Sequence, residues 1–323
     1  MVRATRPRHP PARPPVSASG LLRSRPMPLP LPPGTRVPDR AVWLNGHLVR
    51  GHDAAVSVFD RGARDGGALF ETLRVYAGRP FAWDRHMERM VLSAAELGFP
   101  VPPSPTRLRA ALDEVLAAER LSDSVVRITV TRGIPGSRPV RTGAWLEAEA
   151  LGGRLWVGTR TRHPDDGGPA GGRAILSETP FAPGLLGRHK TTSRLAWDLA
   201  REEARAAGAD EALLVSPAGE VLEGAASNVF VVREGGDVVT PPLAADVLPG
   251  VTRAIVLGLC AELGIPVREA TVPLEMLRSA DEVFVTNSVQ EVLPLSRVAG
   301  RAIPGRALGL RLLAAYRARV TAG

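Results

Sequence analysis

From Ala41 onward, apolar and polar residues recur in patterns that predict a string of short strands and helices. In AVWLNGHLV two apolar runs flank Asn45-Gly46, and a turn needing positive φ at both positions marks a hairpin. A strand is predicted over residues 69–76, turning at Ala77-Gly78. Met87, Met90, Val91, Ala94 and Leu97 then follow at helical spacing, with Asp84 as the expected N-cap and Gly98 and Pro100 as the stop. On that helix His86, Arg89 and Ser93 form a separate polar stripe, expected to be solvated. Ser104-Pro105 opens a second helix whose Leu108, Leu112, Val115 and Leu116 face inward. In SVVRITVTRG, Val126, Ile128 and Val130 alternate with Arg127, Thr129 and Thr131, the period of a half-buried strand. Arg132 has the opposite parity to Arg127, so the two arginines point to opposite faces.

Periodicity lapses over residues 135–153, where Gly and Pro gather. A linker there separates a small N-terminal domain, 41–134, from a larger one, 154–323. The larger part mixes element types without a repeat. LWVGTR and RAILSE read as strands, and residues 192–207 as a helix stopped by Gly208. EALLV pairs with EVLEG across Pro217-Ala218-Gly219, and NVFVV with DVVTP across Glu-Gly-Gly. LPGVTRAIVLGLCAELG is a helix ending at Gly264, DEVFVTNSVQEVLPL a buried strand, and residues 304–320 a terminal amphipathic helix. The fold class expected is mixed α/β.

Composition narrows the chemistry. The 323 residues, 44% hydrophobic, suffice for two cores. No apolar run approaches the roughly 18 residues of a membrane span, and a single Cys260 at helical spacing reads as a buried hydrophobe in a reducing cytoplasm. The formal charge of +8 is concentrated at the start: residues 1–40 hold eight Arg against one acid, Asp39, a net of +7, so the remainder carries +1. With eleven Pro and no aromatic, that stretch is expected to be a disordered extension, or to precede the true start at Met27, and its prolines break any signal-peptide core. A basic arm binding nucleic acid is the remote alternative.

Lys190, in GRHKTTSRL, is the only lysine among 41 basic residues. Arg replaces Lys in most charge roles, but a guanidinium stays protonated and forms no imine, so the retained amine points to a Schiff base with a carbonyl cofactor. Leu-Pro-Gly-Val-Thr, entering a helix at Gly250, Val251 and Thr252, offers unpaired amides to an anion; Thr286, Asn287 and Ser288 add small donors and Arg89 a cation. Glu223, in the small-residue turn EGAASN, is a carboxylate suited to a protonated ring nitrogen. No metal site is expected.

These residues fall in ordered blocks: DRGxxxG…FETLRV (60–75), HMERM (86–90), TRG (131–133), HK (189–190), EGxxSNVF (223–230), LPGVTR (248–253) and VTNSVQEVLP (285–294). Over nearly all of 41–320 the chain resembles the class-IV aminotransferases, the fold-type IV pyridoxal-phosphate enzymes. The resemblance implies a small α/β domain and a larger mixed, barrel-like domain with the cofactor between them, in a homodimer. It implies that Lys190 bonds the pyridoxal 5'-phosphate and shuttles a proton and that Glu223 meets the pyridine nitrogen. It also implies that Arg89, Val251, Thr252, Asn287 and Ser288 hold the phosphate. Lys-x-x-(Asn/Ser)-Arg-Leu, Thr72 and TNSVQE are similar to the 4-amino-4-deoxychorismate lyases, which release 4-aminobenzoate and pyruvate. An amino-acid transaminase, D-amino-acid or branched-chain in type, is the alternative, with Arg194-Leu195, where branched-chain enzymes usually carry Asn-Tyr, counting against the branched-chain type. Arg132 resembles the carboxylate-binding arginine of lyases and D-amino-acid transaminases, whereas Arg127 falls where branched-chain enzymes keep theirs. Arg132 is the one expected to reach the substrate. At 61–68 the chain reads Arg-Gly-Ala-Arg-Asp-Gly-Gly-Ala, departing from the family's Arg-Gly-(aromatic)-x-Tyr-Gly-Asp-Gly.

Overall fold

The computed structural model describes residues 37–136, 142–151 and 171–322. Nearly all of the Arg/Pro-rich extension and the strand expected at LWVGTR lie outside these residues.

Six strands build the first sheet: β1 (Ala41–Leu44), β2 (His47–Arg50), β3 (Ala68–Tyr76), β4 (Arg79–Pro80), β5 (Ser124–Thr131) and β6 (Ala144–Ala150). They are ordered β2-β1-β6-β5-β3-β4, and every pairing is antiparallel. Asn45 and Gly46 do turn the β1–β2 hairpin at positive φ. The expected linker is partly a strand: in β6, Ala144, Leu146 and Ala148 are buried while Trp145, Glu147 and Glu149 are half-buried, a period of two between β1 and β5.

Helices α1 (Arg61–Asp65), α2 (Trp83–Glu96) and α3 (Pro105–Glu119) complete this part. Ser104 caps α3 by accepting from Arg107 N–H. For α2 the N-cap is Ala82, at φ 53°, and Asp84 lies in the first turn, where its charge meets the helix dipole. Met87 and Met90 of α2 and Leu108, Leu112 and Val115 of α3 pack on Leu73, Val75, Val126, Ile128 and Leu146 in one apolar layer. Each such side chain contributes about 1.5–3 kcal/mol on burial. The polar stripe on α2 is not solvated: His86 and Ser93 are buried, because this edge of the helix lies over the carboxylate of Glu71 and the chain at His189.

A second sheet holds β7 (Gly172–Leu176), β8 (Glu211–Val215), β9 (Glu220–Gly224), β10 (Asn228–Val232), β11 (Val238–Thr240), β12 (Val267–Glu269), β13 (Val272–Pro273), β14 (Glu282–Asn287), β15 (Glu291–Val298) and β16 (Arg301–Ala302). Its order is β12-β11-β10-β14-β15-β7-β8-β9-β13, with β16 on β15. The sheet is mixed, since β11–β12, β15–β7 and β7–β8 are parallel. Helices α4 (Leu195–Ala206), α5 (Val251–Glu262), α6 (Leu274–Arg278) and α7 (Ala307–Ala322) surround it. Phe230 and Phe284 stack at 4.9 Å beneath α5 and α7, and Cys260 is buried in the same cluster.

The segment expected to be one buried strand, 281–295, is a hairpin of β14 and β15. Asn287 Oδ1 accepts from Val289 and Gln290 N–H, turning the chain, and Glu291 re-enters it at φ 63°. Glu291 is 2% exposed and ties the two parts together. It accepts from Arg74 (3.0 Å) and Tyr76 (2.7 Å) of β3 and from Arg317 (2.8 Å) of α7. No helix among the described residues is long and apolar enough to cross a membrane.

Candidate active site

A cavity lies where β3, the Lys190 segment, the β9–β10 turn, the start of α5 and the β14–β15 turn meet. Lys190 is fixed by short antiparallel pairing with β3: Phe70 N–H donates to Lys190 C=O and Thr192 N–H to Ala68 C=O, both at 2.9 Å. Its side chain enters the cavity, Nζ 4.6 Å from the centre of the Phe70 ring. Burial, then the positive charge of Arg194 and Arg89, pushes its ammonium well below its ordinary pKa, which frees the lone pair a nucleophile needs.

Glu223, 3% exposed, lies at the penultimate position of β9 on another wall. Each carboxylate oxygen takes one donor: Trp197 Nε1 at 2.8 Å and Leu248 N at 3.0 Å. Burial pushes its pKa up to about 7, against these donors and Arg194. Free lone pairs on a buried acid at this pKa suit a cationic ring N–H.

The third wall is an anion cradle. Gly250 begins α5 with no side-chain cap, so the amides of Val251 and Thr252 stay open to a ligand. A Cβ on Gly250 would stand 2.0 Å from Asn228 Oδ1, so only glycine permits this approach. Asn228 Nδ2 in turn donates to Leu248 C=O at 2.9 Å. Arg89 gives Nε and Nη2 to Glu71 (2.8 and 2.6 Å) and Nη1 to Pro249 C=O (3.0 Å), leaving one N–H on each terminal nitrogen. Thr286 Oγ1 is buried without a partner at the cavity wall. An amine, a proton acceptor for a ring and an anion cradle with an orphaned hydroxyl fit a phosphate-bearing carbonyl cofactor.

Two residues expected at the phosphate behave differently. The side chain of Asn287 is spent on its own turn, with Nδ2 on Gln290 Oε1 at 2.8 Å, so it shapes the loop. Ser288 donates to His86 Nε2 at 3.4 Å; burial keeps His86 on the neutral side, and its Nδ1–H donates to Glu71 at 2.7 Å. Glu71 therefore orients both ends of the cradle, and despite burial Arg89 and His86 hold its pKa at about 2.

The arginine expectation is corrected. Parity does separate Arg127 from Arg132, but the faces are reversed. Arg132 shares the side of Val130 and turns to the helices, onto Leu97 C=O and the Phe99 ring (4.7 Å). Arg127 pairs with Thr72, which lines the cavity, and stacks 3.8 Å over Phe70, the ring Lys190 also meets. Arg194 is 5.6 Å from the same ring, its Nη2 donating to Ala225 C=O at 2.7 Å.

Sequence reasoning missed Glu71 and Trp197. Glu71 had a signal, an acid among the core-facing Leu69, Leu73 and Val75 of β3. Trp197 had only the scarcity of aromatics, 4% of the chain.

Fold and site together define an enzyme that uses pyridoxal phosphate. The sequence profile of the amino-transferase class IV family matches residues 68–298. The D-alanine aminotransferase of Listeria monocytogenes serotype 4b (strain F2365) is 32% identical over 263 residues, 80% of this chain and 88% of that protein. The branched-chain-amino-acid aminotransferase of Salmonella typhimurium (strain LT2) is 32% identical over 277 residues, 80% and 85% of the two chains. The crystal structure of the T.th. branched-chain amino acid aminotransferase with pyridoxamine 5'-phosphate superposes with a TM-score of 0.78, at 29% identity, over 89% of this chain and 96% of that one. The chain belongs to the class IV aminotransferases and has their fold, fold type IV.

Proposed function

We propose that the chain is an amino-acid transaminase of the branched-chain type, working as a cytoplasmic homodimer. The observation that carries this reading is the placement of Arg127, rather than Arg132, at the ring it shares with Lys190. Arg127 stands where branched-chain enzymes keep their arginine. The relatives named above are aminotransferases, which favours transamination over the aminodeoxychorismate lyase reading. Arg194-Leu195 is the feature that keeps the lyase as a second reading.

When bound, pyridoxal phosphate supplies an electron sink for the substrate's α-carbon. The chain supplies the rest. Lys190 Nζ, its ammonium disfavoured by burial and by Arg194 and Arg89, would take the proton from the substrate's α-carbon and deliver it to the carbon that was the cofactor's aldehyde. Glu223 holds the ring nitrogen, and Arg89 and the Val251 and Thr252 amides hold the phosphate, with Ser288 on His86 and Asn287 shaping the loop. Thr72 and Arg127 face the substrate carboxylate.

The test is a paired assay. The enzyme receives L-branched-chain and D-amino acids with a 2-oxo acid acceptor and, separately, aminodeoxychorismate. Exchange from L-branched-chain donors is the expected result. Release of 4-aminobenzoate without exchange would reject the proposal, and exchange confined to D-amino acids would reject the branched-chain assignment.

A further inference from the structure

We propose that Trp197 is a positioning residue that holds Glu223, through its indole N–H, as the ionised partner of the cofactor's ring nitrogen. The inference rests on the reading that Glu223 meets that nitrogen.

Trp197 lies on the first turn of α4, seven residues after Lys190, so one segment carries the amine and the group that controls the opposite wall. Its indole N–H donates to Glu223 Oε1 at 2.8 Å, with the ring held against Phe181. Phe181 stands edge-on to it at 4.9 Å and 84°, and the Arg194 guanidinium lies 5.7 Å from its centre. The other oxygen is fixed by Leu248 N–H, so the carboxylate plane has one orientation. The charged groups facing Glu223 are Arg194 and Lys190; Glu211 of β8 packs beside the neighbouring Gly224.

A donor on a carboxylate stabilises its charged form. With both donors, the proton shared with a pyridine nitrogen stays on the nitrogen, where it makes the ring electron-poor. Removing the indole N–H moves that proton toward Glu223 by about tenfold to a hundredfold in equilibrium, the usual effect of one hydrogen bond to a buried charge. The backbone donor at Leu248 does not compensate, because it serves the other oxygen.

The experiment uses the holoenzyme loaded with cofactor labelled with ¹⁵N at the ring nitrogen. In wild type the nitrogen resonance should be that of a pyridinium. Trp197→Phe keeps the ring against Phe181 and should move the resonance toward neutral pyridine; so should a benzothienylalanine at 197, which keeps the indole shape and fold without the N–H. Phe181→Leu, which loosens the packing but spares the donor, should leave it in place. An unmoved resonance in both 197 variants, with Glu223→Gln shifting it, would overturn the role of Trp197 alone. An unmoved resonance in Glu223→Gln as well would instead overturn the assignment of Glu223. A shift in Phe181→Leu equal to that in the 197 variants would reduce Trp197 to packing and also overturn the proposal.

Discussion

Removing the charge of Glu223 should change how the cofactor-free protein responds to pH. The folded pKa, pushed up to about 7, lies above the ordinary carboxylate value of 4.5. A raised acid favours the folded state while protonated, so its stabilising share is complete below pH 4.5 and is lost as pH rises through 7. A shift of about 2.5 units corresponds to about 3 kcal/mol at most. Wild-type apoprotein should therefore become less stable between pH 4.5 and 8, relative to Glu223→Gln, by an amount approaching that figure. Urea unfolding of both proteins across this range measures the difference. Because Glu147 and Glu211 are also raised by burial, the difference between the two proteins, rather than either slope, is the test. Cofactor should reverse the sign, since a cationic ring nitrogen favours the carboxylate. A pH-independent difference, or wild type gaining on the variant as pH rises without cofactor, would refute the reasoning.

Other outcomes follow from the same geometry. Glu71→Gln strips Arg89 of its buried counter-ion and weakens the acceptor of the neutral His86, and should cost about 3–5 kcal/mol in unfolding experiments, while equilibrium dialysis shows weaker cofactor retention. Glu291→Gln should destabilise by a similar amount, because Arg74, 7% exposed, loses its carboxylate; calorimetry checks it. Arg127→Gln should raise KM for the amino-acid substrate at least tenfold, whereas Arg132→Gln should leave KM unchanged and lower only Tm, through its contacts at the end of α2. The homodimer expected from the resemblance is checked by light scattering, which should return twice the 34.3 kDa chain mass.

The legible parts of the sequence were those where local pattern and tertiary role coincide. Lys190 stood out because every other basic residue is Arg, and Glu223 because an acid among Gly, Ala and Ser has no packing reason to be there. The β1–β2 hairpin and the start of α3 followed from Asn45-Gly46 and Ser104-Pro105, whose φ and capping demands are local. What misled was information held by partners far along the chain. The stripe of His86, Arg89 and Ser93 looks solvated until β3 brings Glu71 under it, fifteen residues from His86. The parity of Arg127 and Arg132 was readable, but which face met Lys190 depended on where α2 and α3 packed. The linker hid β6 because its alternation of Ala with Glu is weak in hydrophobicity. Trp197 reaches Glu223 across 26 residues, a contact that no spacing rule announces.

The central claim is that the one lysine is the amine that bonds the cofactor. Borohydride reduction of the cofactor-loaded enzyme, followed by digestion and mass spectrometry, tests it most directly, because the chain has no other ε-amine. The reduced phosphopyridoxyl group should be found on the peptide carrying Lys190 and should be absent from Lys190→Ala. A loaded wild-type enzyme with no adduct at Lys190, or an adduct that survives in Lys190→Ala, would contradict the account.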